Sequence, residues 1–484
     1  MNKLILGVIL FPFLLWAQDW PQWRGPDASG HAPSGNYPVN WSSQENIIWK
    51  KTLPGRGHSS PVHDGENIWV TTALETPASE EEKKERLKEN KGLPTVTVLS
   101  KLSLRALKIN PVSGKILKNI EVFEKKQPQW VHKLNSYASP TPFLENGKLY
   151  LHFGAYGNAC IDSESGKIIW KNDEKKLWIM HENGPGSSPI LWKNLMIFHL
   201  DGSDRQSIVA LHKDSGKIAW QTKRSGEMRE NPQLQKSYST PIIEEFNGKT
   251  VLISCAADWV YGYNPENGEE LWNFPTESSL IRSQKKLSMV IVDDVIYFNN
   301  SLGDISAARI NDGELLWQLP TQSDVLYESA FSLETSDIIT DKKDLFFSNN
   351  KNQFFSIDIK SGSFNWENSV NSNLRPTVID NFIITVSLEG YLIVIDKITG
   401  NIIKVTDIFN NFKPKKRKEI LPTGFIVGLK NIYLSTDNGR LLVIDISSGK
   451  TNSILKIDNE KISRPFILDK NLFVIKDNAI IKLD

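Results

Sequence analysis

The sequence predicts an all-β fold: a single β-propeller of four-stranded antiparallel blades, its ring closed by pairing of the N- and C-terminal strands. Three observations carry this prediction. A hairpin motif recurs along the whole chain, a second two-strand motif sits between its copies, and each end of the chain holds an incomplete unit. With 484 residues, 39% of them apolar and 10% aromatic, the chain has ample material for such a core.

The hairpin reads CIDSESGKIIW (Gly166, Trp170), ALHKDSGKIAW (Gly216, Trp220), YGYNPENGEELW (Gly268, Trp272), ARINDGELLW (Gly313, Trp317) and SIDIKSGSFNW (Gly362, Trp366). Three further copies around Gly114, Gly400 and Gly449 lack the Trp. Asp or Asn at the strand end bonds its own downstream backbone, and Gly supplies the positive φ of the turn. The Trp then opens the next strand and is large enough to fill the gap between neighbouring sheets. Between hairpins come Pro-led strand pairs, as in SSPVHDGENIWVTT (Pro61), ASPTPFLENGKLYLHF (Pro140), SSPILWKNLMIFHL (Pro189) and STPIIEEFNGKTVLIS (Pro241). Later copies begin at Pro376, Pro422 and Pro465. Each period therefore holds four short strands joined by hairpins, which suits antiparallel blades better than a stacked solenoid.

NIIWKKTL around Trp49 has the form of a last strand without its unit, and the segment from Lys461 to Asp484 that of a unit without its last strand. Joining them closes the ring and removes two sheet edges. Eight hairpins plus this split unit give nine blades by literal count. Propellers usually stop at about eight, so the expectation is eight blades with one irregular unit. The propeller is assigned to residues 40–484, after a signal peptide (1–17) and an N-terminal extension (18–39). One insertion, at about 76–92, reads as an exposed charged helix with Ser79 and Glu82 as a capping box. A basic run, Lys413 to Lys418, falls in a late loop and reads as a solvated surface.

Lys3, the apolar run Leu4–Trp16 and the small Ala17 have the layout of a cleavable secretory signal, too short to span a bilayer comfortably. No Cys follows it to carry a lipid anchor, so the expectation is a periplasmic or secreted protein, not membrane-spanning and monomeric. Lys plus Arg is 57 against 56 Asp plus Glu, which gives nucleic-acid binding no cationic surplus to work with. Cys160 and Cys255 fall in non-neighbouring units and are expected to be buried free thiols.

Polar residues recur at one place in the period, just before the Pro-led strand. They are Arg56 and His58; His132, Asn135 and Tyr137; His181, Glu182 and Asn183; and Arg229, Glu230, Asn231 and Tyr238. The loops feeding the innermost strands open on one face, so four consecutive blades gather these side chains at one channel mouth. Asp201, Asp204, Arg205 and Asp258 follow second strands and are expected either on the opposite face or within the channel. His152 and His199 lie inside apolar strands and read as core histidines. The mouth has three readings: a binding site for a peptide, glycan or polar small molecule; groups that satisfy loop backbone and channel water; or a metal or acid/base site at His181 and Glu182, against which stands the opposite direction of adjacent side chains on an extended strand.

The D-x-x-[ST]-G-[KE]-x-x-W hairpins and S-x-P strand starts resemble the pyrroloquinoline-quinone-like (quinoprotein-like, BamB-like) β-propeller repeat family. QDWPQWRGPDASG (18–30) resembles the start of a secreted bacterial branch of it. The resemblance implies either a scaffold of the BamB kind or a quinone-dependent dehydrogenase. In the dehydrogenase branch it implies PQQ held between a disulfide of adjacent cysteines and a Trp, over calcium bound by acidic and amide side chains. This chain has no adjacent cysteines and no segment that aligns with those ligands, so no catalytic residue, cofactor or metal is expected. The leading expectation is a secreted or periplasmic binding scaffold whose partner is an envelope protein, peptide or glycan. A PQQ-dependent oxidoreductase is the alternative, and a carbohydrate-binding or carbohydrate-active envelope protein the third reading.

Overall fold

The computed structural model describes residues 47–89, 95–256, 258–276, 288–300, 303–321, 333–468 and 471–483; the expected signal peptide and N-terminal extension lie outside the described residues. Nine four-stranded antiparallel sheets follow one another along the chain. Blades 1 to 8 take their strands in order from 62–126, 143–172, 190–223, 242–275, 289–319, 339–368, 377–407 and 422–456. Blade 9 combines Phe466–Leu468, Asn471–Lys476 and Ala479–Leu483 with Ile47–Thr52 from the other end of the chain. Lys50 pairs with Ile481 and Thr52 with Ala479, closing the ring as expected. The expectation of eight blades is corrected to nine. Each of the eight hairpins builds its own blade, and the split unit is a ninth sheet of full width.

The core lies between blades. Ile68 and Leu107 of blade 1 pack with Phe473 and Ile480 of blade 9, sealing the ring where the chain ends meet. Two kinds of hydrogen bond add to this packing. On the outside, a Trp on the fourth strand of one blade covers the hairpin glycine of the next and donates its indole N–H to a carbonyl there. Trp170 donates to Lys213 at 2.8 Å, Trp272 to Ile310 at 2.8 Å and Trp366 to Lys397 at 3.0 Å. Trp49, Trp220 and Trp317 do the same at 3.1 Å. The contact is tight: a Cβ on Gly216 (φ 68°) would stand 2.3 Å from Trp170 Cε3, which is why this turn admits only glycine. In two of the three copies without the Trp a Lys takes its place: Lys118 covers Gly166, and Lys404 Nζ donates to Ser447 O at 2.6 Å beside Gly449.

On the inside, the hydroxyl before each strand-opening Pro links the first four blades. Ser60 N–H donates to Thr141 Oγ1 (2.9 Å), Thr141 N–H to Ser188 Oγ (3.0 Å) and Ser188 N–H to Thr240 Oγ1 (3.1 Å). The Ser-x-Pro pattern is thus a blade-to-blade contact, and in blade 2 the equivalent proline is Pro142 rather than Pro140.

Strand direction alternates within each blade. The connections between blades and the turns between second and third strands therefore share one end of the ring, the loop face. The Gly hairpins occupy the other end. Blade 1 rises above the loop face because its strands Ile68–Pro77 and Leu99–Ile109 run to 10 and 11 residues. The insertion between them forms the helix Glu80–Arg86, whose N-cap Ser79 accepts from the Glu82 N–H at 3.1 Å. Only this half of the capping box forms, because the Glu82 carboxylate turns to Arg86 instead (3.1 Å). Among the described residues no helix is long and apolar enough to cross a membrane.

Candidate functional site

The four polar clusters occupy four consecutive blade-to-blade loops on the loop face. A chain of hydrogen bonds stitches these loops together. Arg56 Nη2 donates to Asn135 O (2.8 Å), Asn135 Nδ2 to Asn183 O (2.7 Å) and Pro185 O (3.1 Å), and Asn183 Nδ2 to Tyr238 Oη (2.9 Å). His132 N–H adds a bond to Glu182 O (2.8 Å), and its ring Nε2 lies 3.0 Å from Thr95 Oγ1. Each loop lacks enough backbone pairing of its own, and the neighbouring loop's side chain supplies it. Tyr137 is buried, with its hydroxyl on Gln129 O (3.0 Å) and its ring edge-on to Tyr156, so it presents no face for stacking on a sugar. Glu230 and Asn231 stand exposed on the loop between blades 3 and 4.

The charged groups pair with one another. Arg56 Nε reaches Glu75 at 3.0 Å; burial raises the Glu75 pKa even against that guanidinium. His58 Nε2 lies 3.3 Å from Asp477, and its hydrogen bond lowers the Asp477 pKa. Glu182 meets the fully buried Lys236 at 2.5 Å and accepts from Ser203 Oγ at 3.0 Å. Burial opposes the Glu182 charge, but the Lys236 ammonium outweighs it and the pKa falls; burial also lowers that of Lys236. Arg229 pairs with Asp258. His181 packs edge-on against Tyr238 and is buried so completely that its pKa drops to about 3. Neither Arg56 nor Arg229 is held in reserve for an anionic ligand.

The placement of Asp201, Asp204, Arg205 and Asp258 differs from expectation. Asp204, Arg205 and Asp258 belong to second-to-third-strand turns, which share the loop face, and they reach the same loops, whereas Asp201 ends the second strand of blade 3. Asp204 Oδ1 accepts from Met180 N–H (2.7 Å), Arg205 Nη1 donates to Lys176 O (3.3 Å), and Asp258 holds Arg229. Asp201 sits deeper, in a network that sequence reasoning missed. Arg224, fully buried, donates to both Asp201 oxygens (Nε 3.0 Å, Nη2 2.8 Å) and to Ser254 Oγ (2.6 Å). Its guanidinium carbon lies 5.0 Å from the Tyr261 ring centroid. Ser254 Oγ is also 2.7 Å from His199 Nε2. No local signal marked Arg224: it follows an outer strand, just past Lys223, and its partners come from three other strands.

The residues do not fit PQQ held over calcium. Cys160 and Cys255 lie in blades 2 and 4, buried and free, their thiol pKa values pushed up to about 12 by burial. Among the described residues no group of three or more His, Cys, Asp or Glu is arranged to hold a metal ion.

This geometry defines a nine-bladed propeller of the quinoprotein-like repeat class, with its polar groups consumed in joining loops. Comparison with known proteins agrees. The family model described as outer membrane protein assembly factor BamB matches residues 39–221 and 159–406. The chain belongs to this BamB family of β-propellers. The outer membrane protein assembly factor BamB of Shewanella oneidensis is 21% identical over 313 residues, covering 55% of this chain and 76% of that protein. The quinoprotein alcohol dehydrogenase PedH of Pseudomonas putida is 26% identical over 198 residues, 38% of this chain and 31% of the enzyme, so the chain matches under a third of its length. The crystal structure of quinohemoprotein alcohol dehydrogenase from Comamonas testosteroni superposes with a TM-score of 0.53 over 96% of this chain and 80% of that one. At 10% identity this is a likeness of fold alone.

Proposed function

We propose that this protein is an exported envelope scaffold, working in the periplasm or outside the cell, whose loop face over blades 1–3 docks another envelope protein. One observation carries the reading. Large apolar side chains stand exposed there: Leu134 at 76%, Met180 at 43% and Trp178 at 41% on the stitched loops, and Leu74 at 45% on the long blade 1 strand Ile68–Pro77 that rises beside them. Trp, Met and Leu anchors on a rigid base favour protein association, because little ordering entropy remains to be lost on binding. The internal pairing of Arg56, Glu182, Arg229 and Asp258 supports rigidity of the mouth rather than catalysis within it. The names of the BamB relatives point in the same direction, towards assembly at the outer membrane.

The test is capture from an envelope extract by the purified protein, in parallel with Trp178→Ala and Met180→Ala variants, together with titration by pyrroloquinoline quinone and calcium. The scaffold reading expects one predominant protein partner, retained by the wild type and lost by both variants. Stoichiometric quinone binding with dye-linked alcohol oxidation would assign an oxidoreductase instead. Glycan binding that needs Arg229 would assign the carbohydrate role.

A further inference from the structure

Among the described residues the fourth strand of every blade is an unpaired sheet edge, and most of these edges are guarded in a regular way. Two residues flanking the Trp position point away from the neighbouring blade. The second of them is polar in blade after blade: Lys171, Gln221, Asn273, Gln318, Glu367 and Lys50. Such residues discourage edge-to-edge pairing. Blade 8 has the half-buried Ile454 at this position beside the exposed Asn452, and among the described edges only blade 7 is apolar on the far side with both residues exposed. Its edge strand Ile402–Asp407 carries Ile403 and Val405 at these two positions, each 55% exposed. Tyr391, opposite Asp407 on the adjoining strand, continues the apolar ledge on the same face at 40% exposure. The strand's one lysine, Lys404, turns away to cover the hairpin of blade 8 and guards nothing.

A second feature meets this edge at its end. The basic run that follows is folded back by Arg417, whose Nη1 donates to Asp407 Oδ2 at 2.5 Å and whose Nε donates to Phe412 O at 3.0 Å. With Arg417 used as the anchor, Lys413, Lys415, Lys416 and Lys418 are left exposed where the edge strand stops. An unguarded apolar edge running into a fixed cluster of ammonium groups has a complement of defined chemistry.

We propose that the outer edge of blade 7 is a strand-addition site for an extended segment of a partner protein, with β-branched residues along its length and carboxylates at one end. Main-chain hydrogen bonds to Ile402–Asp407 supply the pairing, Ile403, Val405 and Tyr391 receive the partner's side chains, and the four lysines take its acidic tip. This surface lies at blade 7, away from the stitched loops of blades 1–3, and does not depend on them.

The experiment is fluorescence anisotropy with a labelled peptide of alternating valine and threonine ending in three glutamates. Two comparison peptides are used: one N-methylated at alternate amides, the other with glutamines for the glutamates. Binding is expected to weaken at least about tenfold on N-methylation and in the Ile403→Lys/Val405→Lys variant, since each removes the strand pairing or its apolar cover. It is expected to weaken several-fold with the glutamine peptide, in a Lys413→Gln/Lys415→Gln/Lys416→Gln variant, and in about 0.5 M salt. Equal binding of the N-methylated peptide would overturn the proposal, as would no binding of the parent peptide at millimolar concentration. So would a dimer of the protein alone that Val405→Lys dissolves, because it would assign the edge to a second copy. The peptide comparisons use the unaltered protein, so they decide the matter even if a variant fails to fold.

Discussion

Replacing Arg224 by Met removes the cation from the buried network between blades 3 and 4 while keeping much of its volume. The guanidinium makes three short hydrogen bonds, two of them to Asp201, and neither side chain is accessible to water. Without it the Asp201 carboxylate keeps only its backbone bond from Ser207, and burial already raises its pKa. Stranding one partner of such a pair costs about 3–5 kcal/mol. Asp201→Leu alone strands the guanidinium and carries a similar penalty. The Arg224→Met/Asp201→Leu double variant removes both charges and should return to within about 2 kcal/mol of the parent, because a buried pair adds little net stability over an apolar replacement. Urea unfolding of the four proteins, followed by tryptophan fluorescence, measures the cycle. Single variants that lose under about 1 kcal/mol, or a double variant that loses the sum of the two, would refute the reasoning.

Acid should destabilise the fold in a window set by three histidines. Burial lowers the pKa of His152 to about 4 and of His181 to about 3, and takes His199 well below its ordinary value. The unfolded chain protonates these groups near pH 6.5 and the folded one does not, so stability falls as pH drops below 6.5; each histidine contributes a slope of up to about 1.4 kcal/mol per pH unit. Midpoints of urea unfolding between pH 7 and 4.5 check this, and His181→Gln should flatten the slope by roughly one histidine's share. The hairpin glycines offer a controlled comparison. Gly216 (φ 68°) and Gly248 (φ 73°) share the left-handed conformation, but a Cβ at Gly248 meets nothing within 4 Å. Gly248→Ala should cost about 1–2 kcal/mol for backbone strain alone, and Gly216→Ala clearly more, with red-shifted Trp170 emission. Deleting residues 479–484 removes the strand that Ile47–Thr52 pairs with, and should replace one cooperative unfolding transition by a broad or divided one in calorimetry.

The fold was legible because its joints are written locally. Asp–x–x–Ser–Gly closes a hairpin by short-range bonding, as Asp162 does with Ser165, and the Trp after it fills a gap that every such blade repeats. The split blade was legible from the half-units at the two ends. The expectation of eight blades failed because a usual upper limit was set above a direct count of hairpins. The convergence of Arg56, Asn135, Asn183 and Tyr238 followed from their shared place in the period. Their partners did not, since Glu75, Lys236, Arg224 and Ser254 belong to other strands and are joined to them only by the ring. The placing of Asp204 and Asp258 was recoverable in principle: counting strand directions puts second-to-third-strand turns beside the blade-to-blade loops. The exposure of Trp178 and Val405 was not, because each sits within an ordinary-looking segment and only the surrounding packing leaves it uncovered.

The central claim is that the loop face of blades 1–3 holds another envelope protein. Photo-cross-linking in living cells tests it most directly, with a benzoylphenylalanine residue placed at Met180 on the loop face or at Ser447 on the hairpin face. The account predicts a discrete protein adduct from position 180 and none from position 447. Adducts from position 447 alone, or from neither position, would contradict it.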